Sequence, residues 1–391
     1  MQGKNTGTSP RGMMGIYPMR SNAPSNSLRD ILHRLLDASD VKIDGNRPWD
    51  IRVYNDKFYQ QIFSKGSLGL GESYMDGWWD CEQLDQLFFK IIRAEMEGRL
   101  KYTPSMSLQL LFPVLKAKVL NCQRKSRAFK VGEHHYDIGN DLYQGMLDKR
   151  MVYTCAYWKD ARNLDEAQEA KLDLVCQKLK LRSGMHILDI GCGWGSFSKY
   201  AAEHYQVKVT GITVSRKQVE LVQENCSGLP IDIKLQDYRD LTGKFDHIVS
   251  LGMFEHVGYK NYRTYMEIVH RCLKDDGLFF LQTIGRQKSA ASFDFWLDKY
   301  IFPNAIIPSI KQIDTAIEGL FVKEDWENIG THYDKTLMAW FQNFNNNWLK
   351  LRSNYDERFY RMWKYYLLSC AGLFRAGKQE VWQIVLSKHG V

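Results

Sequence analysis

The sequence lacks long apolar runs and paired cysteines. No uninterrupted apolar stretch reaches the roughly 18 residues that a membrane-spanning helix needs, so any contact with a membrane is expected to be peripheral. The eight cysteines are scattered, and no two of them form a Cys-x-x-Cys pair. This distribution indicates reduced thiols of a cytoplasmic protein instead of a disulfide framework or a zinc site. His134, His135 and His332 have no partners at metal-ligand spacing, so no metal is predicted.

Acidic residues are missing from two stretches. Residues 1–25 are rich in Gly, Ser, Asn and Pro, which predicts a disordered tail. Residues 99–130 carry eight basic residues interleaved with leucine and valine. This basic stretch is either an amphipathic segment that contacts anionic lipid headgroups or an interdomain connector with a solvated face. A nucleic-acid interface is disfavoured because the basic residues lack interleaved stacking aromatics.

The composition is otherwise that of a large globular protein. The chain has 391 residues, 44% of them hydrophobic, and a net charge of +8. It can bury more than one core, and its positive charge favours an anionic partner. Apolar residues at helical spacing follow residue 28 and again residue 84, so 26–98 is predicted to be a small helical N-terminal domain. The glycine-rich run 66–79 within it is predicted to be a compact turn region.

From residue 131 onwards the pattern alternates between strands and helices. Such alternation implies a parallel sheet covered by helices, so 131–391 is predicted to be an α/β domain. Its segment 340–382 is crowded with Trp, Phe and Tyr, mostly at helical intervals, and is predicted to form a lid over a substrate chain. Buried strands are predicted at 187–190, 207–213, 231–235, 245–250 and 278–281.

One glycine-rich motif organises this second domain. It reads His186-Ile-Leu-Asp-Ile-Gly-Cys-Gly-Trp-Gly195, a buried strand, three alternate glycines and then a helical pattern. Glycine at a strand end lets the backbone turn sharply and approach a ligand. With Asp189 before the turn, the order is that of class I methyltransferases that use S-adenosylmethionine (SAM), not of dinucleotide-binding proteins. A Rossmann-like fold is therefore predicted, with a SAM site that includes Asp189, Gly191, Gly193, Trp194 and Gly195.

Polar residues at the ends of later strands complete the predicted cofactor site. Many such sites place an acidic residue after the second strand to hold the ribose hydroxyls, but this chain has Thr213, Val214 and Ser215 there. Hydroxyl groups and Gln218 are therefore expected to share that role. Residues 236–239, after the third strand, are predicted to contact the adenine.

Seven segments form a recognisable set. They are Tyr136-Asp-Ile-Gly-Asn-Asp-Leu142, Tyr153-Thr-Cys-Ala-Tyr-Trp158, the glycine motif, Gly252-Met-Phe-Glu-His-Val-Gly258, Gln282-Thr-Ile-Gly285, Tyr300-Ile-Phe-Pro303 and Tyr333-Asp-Lys-Thr-Leu-Met-Ala-Trp340. Together they resemble the cyclopropane-fatty-acyl-phospholipid synthases and mycolic acid cyclopropane synthases. The resemblance extends from Leu28 to the C-terminus, and Cys155, Glu255 and Tyr333 are its most specific residues.

The resemblance implies transfer of the methyl carbon of SAM across the cis double bond of a phospholipid acyl chain. A carbocation, loss of a proton to bound bicarbonate and ring closure are implied. Bicarbonate is implied to be held by residues matching Cys155, Glu255, Tyr333 and the backbone near Ile284, and the amide of Gln282 is predicted as a further contact. Most family members carry His where this chain has Gln282, whose amide can donate to an anion but cannot carry a proton. The implied SAM contacts are Tyr153, Thr154, Asp189, Gly191, Gly193, Thr213, Gln218, Asp237, Tyr238 and Gly252.

The resemblance also implies a homodimer at the inner face of a membrane. A dry aromatic pocket is expected around the carbocation, because a π face can stabilise a desolvated cation by about 2 kcal/mol. Two other functions stay open: a SAM-dependent methyltransferase of another lipid without ring closure, and a non-catalytic lipid-binding protein. In simpler interpretations, Cys155 is a buried hydrophobe and Glu255 forms a surface pair with His256. The candidate pocket aromatics are Tyr136, Tyr157, Phe254, Tyr300, Phe302, Tyr333 and Trp340.

Overall fold

The computed structural model describes residues 28–99, 139–290 and 293–390. The expected disordered tail, nearly all of the basic stretch, Tyr136, His134 and His135 lie outside these residues. None of the helices in the described ranges is both long enough and apolar enough to cross a bilayer.

The N-terminal part of the described chain is mainly helical, and its first and last helices agree with the predicted apolar stripes. A small antiparallel sheet of two short strands lies between them. The elements are α1 (Leu28–Asp37), β1 (Arg52–Val53), α2 (Lys57–Lys65), α3 (Ser67–Met75), β2 (Trp79–Asp80) and α4 (Leu84–Met96).

The prediction of a turn region at 66–79 is wrong, because most of this run forms α3. A Cβ at Gly69 would overlap the backbone carbonyl of Gln61, and one at Gly71 would overlap the indole of Trp296. These two glycines therefore let neighbouring elements approach closely. Gly66, whose φ is +58°, makes the turn between α2 and α3, and Gly77, whose φ is +71°, lies in the turn after α3.

The rest of the described chain alternates between strands and helices, as the sequence predicts. Two short 3₁₀ turns, Tyr238–Asp240 and Phe254–His256, follow the third and fourth large strands. The elements are α5 (Asn140–Met146), α6 (Leu164–Lys178), β3 (His186–Ile190), α7 (Ser196–Tyr205), β4 (Lys208–Thr213), α8 (Arg216–Asn225), β5 (Ile231–Leu235), β6 (His247–Leu251), α9 (Tyr262–Cys272), β7 (Leu278–Gly285), α10 (Phe295–Tyr300), α11 (Ile310–Ile317), β8 (Val322–Asn328), α12 (Gly330–Leu351), α13 (Glu357–Arg375) and β9 (Glu380–Ser387).

Seven of these strands form one sheet in the order β5-β4-β3-β6-β7-β9-β8. The first five are parallel, whereas β9 runs antiparallel to both of its neighbours. This arrangement confirms the predicted α/β fold. The chain leaves β3 toward β4 on one side and returns to β6 on the other, so a crevice opens at the carboxyl ends of β3 and β6.

The segment 340–382 is not helical throughout. Helices α12 and α13 carry most of its aromatic residues, but Trp382 lies in β9, between β7 and β8. Its indole packs at 5.1 Å from the ring of Trp326, and it covers Gly285, where a Cβ would overlap it. The end of the predicted lid is therefore part of the sheet.

The helices at the two ends of the described chain share one apolar cluster. The side chains of Trp79 and Tyr74 pack against Tyr365 of α13, with ring centroids 6.5 and 5.5 Å apart. Arg375 of α13 pairs with Asp85 of α4 at 2.6 Å and with Asp334 of α12 at 2.8 Å. Residues 28–99 are thus packed onto the C-terminal helices, and the domain boundary at residue 98 stays a prediction.

Candidate cofactor and substrate site

The loop after β3 is shaped by three glycines with positive φ. A Cβ at Gly191 would lie 2.8 Å from Met253, and one at Gly195 would lie 2.6 Å from Val222. By contrast, no atom of the described ranges outside the adjoining residues lies within 4 Å of the position of a Cβ at Gly193, whose φ is +55°. Gly191 and Gly195 therefore allow internal packing, while Gly193 presents bare backbone to open space.

A cavity, here called the glycine-loop cavity, lies at the carboxyl ends of β3, β4 and β6. It contains every predicted cofactor contact except Gly195, which precedes α7 instead. The predicted residues that line it are Tyr153, Thr154, Asp189, Gly191, Gly193, Trp194, Thr213, Gln218, Asp237, Tyr238 and Gly252.

The end of this cavity near β4 offers unused polar groups. The Thr213 hydroxyl donates to Gln218 Oε1 at 2.7 Å, so the amide Nε2 of Gln218 must point the other way. That Nε2 and the hydroxyl of Tyr238 are buried and have no hydrogen-bond partner among the described residues. The carboxylate of Asp237 is already paired with Arg239 at 2.9 Å. Unpaired buried donors of this kind fit a polar ligand such as a ribose.

Two buried charged groups, Asp189 and Lys171, also line the cavity. Asp189 accepts a hydrogen bond from the Ser198 hydroxyl at 2.7 Å, and burial raises the pKa of its carboxyl to about 7. Lys171 is fully buried, and burial lowers the pKa of its ammonium group to about 8. Neither Lys171 nor Ser198 was predicted from the sequence. The available signal was a lysine on the same helical face as Leu164, Ala167 and Val175.

A second cavity, here called the acidic cavity, shares a wall with the first. Tyr153, Thr154, Gly252 and His256 line both cavities. The structure also brings together the five residues predicted to be catalytic, which come from a loop, a 3₁₀ turn, β7 and α12. Those residues lining the acidic cavity are Cys155, Glu255, Gln282, Ile284 and Tyr333.

Glu255 is buried, with 5% of its surface exposed, so the interpretation as a surface pair with His256 is wrong. Its Oε1 accepts a hydrogen bond from the backbone N–H of Ile284 at 2.6 Å. Its Oε2 is buried without a hydrogen-bond partner among the described residues. Burial raises the pKa of Glu255 to about 7 and lowers that of the neighbouring His256 to about 4. The N–H of Ile284 therefore orients Glu255, and one carboxylate oxygen is left over.

The amide of Gln282 is oriented by two neighbours. Its Nε2 donates to the carbonyl oxygen of Cys155 at 3.4 Å, and its Oε1 accepts from Gln383 Nε2 at 3.1 Å. A flipped amide would place two oxygens against each other at the Cys155 carbonyl, so the donor must face this side. Gln383, opposite Gln282 on β9, was not recognised from the sequence. The Cys155 thiol is buried, and burial raises its pKa.

Of the described aromatic candidates, Phe302 and Tyr333 line the acidic cavity and four do not. Phe254 stacks on Tyr262 at 4.2 Å, and the Tyr300 hydroxyl donates to Glu72 at 3.0 Å. Tyr157 packs on His332, and Trp340 lies behind Tyr153 and Tyr333. Phe293, Tyr366 and Phe374 also line the cavity but were not named individually from the sequence. The Tyr366 hydroxyl lies 2.9 Å from that of Tyr153.

Comparison with protein families and curated proteins gives consistent matches. The family model for mycolic acid cyclopropane synthetase matches residues 123–384. The cyclopropane-fatty-acyl-phospholipid synthase of Escherichia coli K12 is 50% identical over 367 residues, which cover 94% of this chain and 95% of that protein. A sphingolipid C9-methyltransferase of Komagataella phaffii is 36% identical over 65% of this chain and 57% of its own length.

Solved structures give the same picture. The cyclopropane synthase MmaA2 of Mycobacterium tuberculosis is 30% identical, with a TM-score of 0.63 over 66% of this chain and 98% of that one. The mycolic acid cyclopropane synthase CmaA1, in complex with SAH and CTAB, is 32% identical with a TM-score of 0.64 over the same shares. Coclaurine N-methyltransferase, with a TM-score of 0.67 but 22% identity, shares the fold alone.

Proposed function

This chain belongs to the mycolic acid cyclopropane synthetase family of SAM-dependent methyltransferases, and from this premise we propose that it is a cyclopropane-fatty-acyl-phospholipid synthase. It transfers a methylene carbon from SAM to the cis double bond of a phospholipid acyl chain. The observation that carries this proposal is the wall of Tyr153, Thr154, Gly252 and His256 that the two cavities share. A cofactor bound in one cavity can therefore contact an alkene bound in the other at this shared wall.

SAM is proposed to occupy the glycine-loop cavity. The residues present fit it, because Gly193 offers backbone without a side chain and Gln218 Nε2 is a buried donor without a partner among the described residues. When bound, SAM supplies a methyl group on a positively charged sulfur, an electrophile strong enough for a weakly nucleophilic alkene. The protein is proposed to bind the ribose through Gln218 and Thr213, and to hold the backbone of the loop after β3 close to the cofactor.

The acidic cavity is proposed to hold the alkene and to stabilise the cation formed on it. Aromatic side chains line this space. They include Tyr153 from the loop between α5 and α6, Tyr333 from α12 and Tyr366 from α13. In a desolvated site each such ring can stabilise a cation by about 2 kcal/mol. The apolar side chains Leu297, Leu337 and Val381 line the same cavity and exclude water from it.

A bicarbonate ion is proposed to bind beside Glu255, where it would supply the base for removal of the proton. The residues fit an anion that also carries a hydroxyl: Glu255 Oε2 is an acceptor without a partner among the described residues, and the Gln282 amide and the Tyr333 hydroxyl are donors. The Ile284 N–H supports this arrangement through Glu255. Cys155 contributes its backbone, since its buried thiol stays protonated.

The proposal is tested by incubating the protein with labelled SAM and vesicles of unsaturated phospholipid, followed by mass analysis of the fatty esters. A gain of one CH₂ with loss of the alkene is expected. A gain with the alkene retained would indicate a methyltransferase without ring closure, and no labelling would indicate a binding protein.

The role of bicarbonate is tested separately. The rate should fall when dissolved carbonate is removed and should recover when bicarbonate is added. A rate that does not depend on carbonate would contradict the bicarbonate site and leave Glu255 itself as the base.

We also propose that the protein is a homodimer and acts as a peripheral protein at the inner face of the cytoplasmic membrane. The basic stretch 99–130 supports membrane contact, because each Lys or Arg near an anionic surface contributes about 1 kcal/mol. Sedimentation equilibrium of the purified protein tests the dimer; a single species of 45.7 kDa would contradict it.

A further inference from the structure

Lys171 is an unusual group in the wall of the glycine-loop cavity. The side chain is fully buried, and its Nζ donates one hydrogen bond, to the Thr154 hydroxyl at 3.0 Å. An ammonium group has three N–H donors, so two have no acceptor among the described residues. A buried cation normally has a paired anion, because leaving water without one is costly.

The nearby carboxylates do not supply that anion at hydrogen-bond distance. Asp148 and Asp189 attract the Lys171 ammonium electrostatically, but neither forms an ion pair with it within the described part of the chain. The oxygens of Asp148 accept backbone N–H groups of Val152 and Arg150 at 2.8 and 2.9 Å. The Oδ2 of Asp189 accepts the Ser198 hydroxyl. The remaining donors of Lys171 therefore need an acceptor from the cavity.

The cavity has a second cationic side chain, Arg239, but this one already has partners. Arg239 pairs with the Asp237 carboxylate at 2.9 Å and lies over the Tyr238 ring at 4.6 Å. Lys171 and the carboxyl group of Asp189 lie close enough to change each other's pKa. This pair of opposite charges matches an α-amino acid, which carries both an ammonium and a carboxylate group.

We propose that Lys171 binds the carboxylate of the amino-acid end of SAM, while Asp189 attracts its ammonium group. This inference rests on the proposed function, since it requires that SAM occupies the glycine-loop cavity. Lys171 is thus a specificity-determining residue for cofactors that keep the amino-acid group. Burial lowers the pKa of Lys171 to about 8 and raises that of Asp189 to about 7, so at pH 7 at least half of each group carries its charge.

The test compares two non-reactive ligands by isothermal titration calorimetry. S-adenosylhomocysteine carries the carboxylate, whereas 5′-methylthioadenosine lacks the whole amino-acid group. Lys171→Met removes the charge at nearly constant length. It should weaken S-adenosylhomocysteine roughly tenfold to hundredfold, the range for hydrogen bonds to a charged group, and leave methylthioadenosine unchanged. Lys178→Met, on the same helix but outside the cavity, is the control and should change neither affinity.

Equal weakening of both ligands would overturn the inference, because it would mean that Lys171 merely supports the cavity wall through Thr154. Failure of the wild-type protein to bind either ligand would instead contradict the proposed SAM site. If Lys171→Met does not fold, the wild-type protein still decides the question. It should bind decarboxylated S-adenosylhomocysteine roughly tenfold to hundredfold more weakly than the intact ligand, and equal affinities would overturn the inference.

Discussion

At the scale of single residues, the site depends on the open space beside one glycine and on one carboxylate oxygen that is available to a ligand. Gly193 leaves space where other glycines of its loop face neighbouring side chains. Glu255 uses one carboxylate oxygen to accept the Ile284 N–H and has the other available. Three predictions follow from these two residues.

Valine at position 193 should abolish cofactor binding without unfolding the protein. Its side chain would enter the space that the cofactor is proposed to fill, which no neighbouring atom of the described residues occupies. Gly184→Val is the matched control, because Gly184 also has a positive φ, of +84°, and open space around it, but does not line the cavity. Both variants should lose similar stability, and only Gly193→Val should lose binding of S-adenosylhomocysteine in calorimetry. Unchanged affinity in that variant would refute the placement.

Glu255→Gln should lower the turnover rate roughly 10²- to 10⁴-fold, the usual contribution of a positioned base. The affinity for S-adenosylhomocysteine should stay nearly unchanged, because Glu255 lines only the acidic cavity. Tyr333→Phe should cost less, since it removes one hydrogen bond of several. The wild-type rate should rise with pH through about 7, as Glu255 ionises, and this rise should disappear in Glu255→Gln. A variant with wild-type turnover would contradict the role of Glu255.

Glu255 should also make the folded protein less stable as the pH rises. Burial raises its pKa from 4.5 to about 7, so between these values the folded state binds a proton that the unfolded state has lost. The free energy of unfolding should therefore fall across this window, by up to about 3 kcal/mol from this group. Urea unfolding at pH 5 and pH 8 checks this: the stability of Glu255→Gln relative to wild type should increase with pH. A constant difference would mean that Glu255 is ionised in the folded protein at both pH values.

At the scale of elements, glycine has two structural roles that the sequence does not distinguish. It allows a turn in one place and close packing inside a helix in another. In the loop after β3 the glycines make turns, as predicted. In α3 they lie inside a helix, because the partner surfaces, α2 and Trp296, leave no space for a Cβ. Which role a glycine has depends on the neighbouring elements and not on the local sequence pattern.

Gly71→Ala should therefore destabilise the protein by about 1–3 kcal/mol, as other overpacking substitutions do. The added Cβ would overlap the indole of Trp296, which is held among Tyr365 and Tyr300. Gly145→Ala in α5 is the matched control, since its Cβ would make an ordinary contact at 3.5 Å with Asn347. Thermal unfolding should show a lower Tm for Gly71→Ala and an equal or higher Tm for Gly145→Ala. Equal Tm values for all three proteins would show that Trp296 can move aside.

At the scale of the whole molecule, the described ranges combine a Rossmann-like sheet with a helical cluster made from both ends of the chain. The helices α12 and α13 contribute Tyr333, Tyr366 and Phe374 to the acidic cavity, and α13 also packs on α3 and α4. Residues 28–99 thus contact the same helices that line the cavity. Membrane recruitment is expected from the charged stretch that follows them.

Changing Lys116, Lys118, Arg124 and Lys125 to Gln should weaken binding to anionic vesicles strongly at low salt and less at high salt. Salt screens such charges over about 8–10 Å. Arg99 is left unchanged because it pairs with Glu97 at 2.9 Å. A control with the exposed residues Lys57, Lys159, Lys180 and Lys208 changed to Gln has the same net charge. Equal vesicle sedimentation of the two variants would identify 99–130 as a connector.

The sequence alone determined the α/β fold and the strand ends whose glycines and polar residues line the glycine-loop cavity. A residue that directly follows a parallel strand can be located from its position in the sequence, because the carboxyl ends of parallel strands meet at one edge of a sheet. Glycines and polar residues at the ends of β3, β4, β5 and β6 could therefore be placed without coordinates. The resemblance to a family added Cys155, Glu255 and Tyr333.

Only the tertiary structure decided the features that depend on contacts between distant segments. Lys171 lies on the buried face of α6, Gln383 lies on an antiparallel strand that was not predicted, and Tyr366 lies among many similar aromatics. Local periodicity tells which face of an element is buried, but it does not tell what that face contacts. Contacts between distant segments decide which groups are buried, which donors have no partner and how an amide is oriented. These contacts form only when the chain folds.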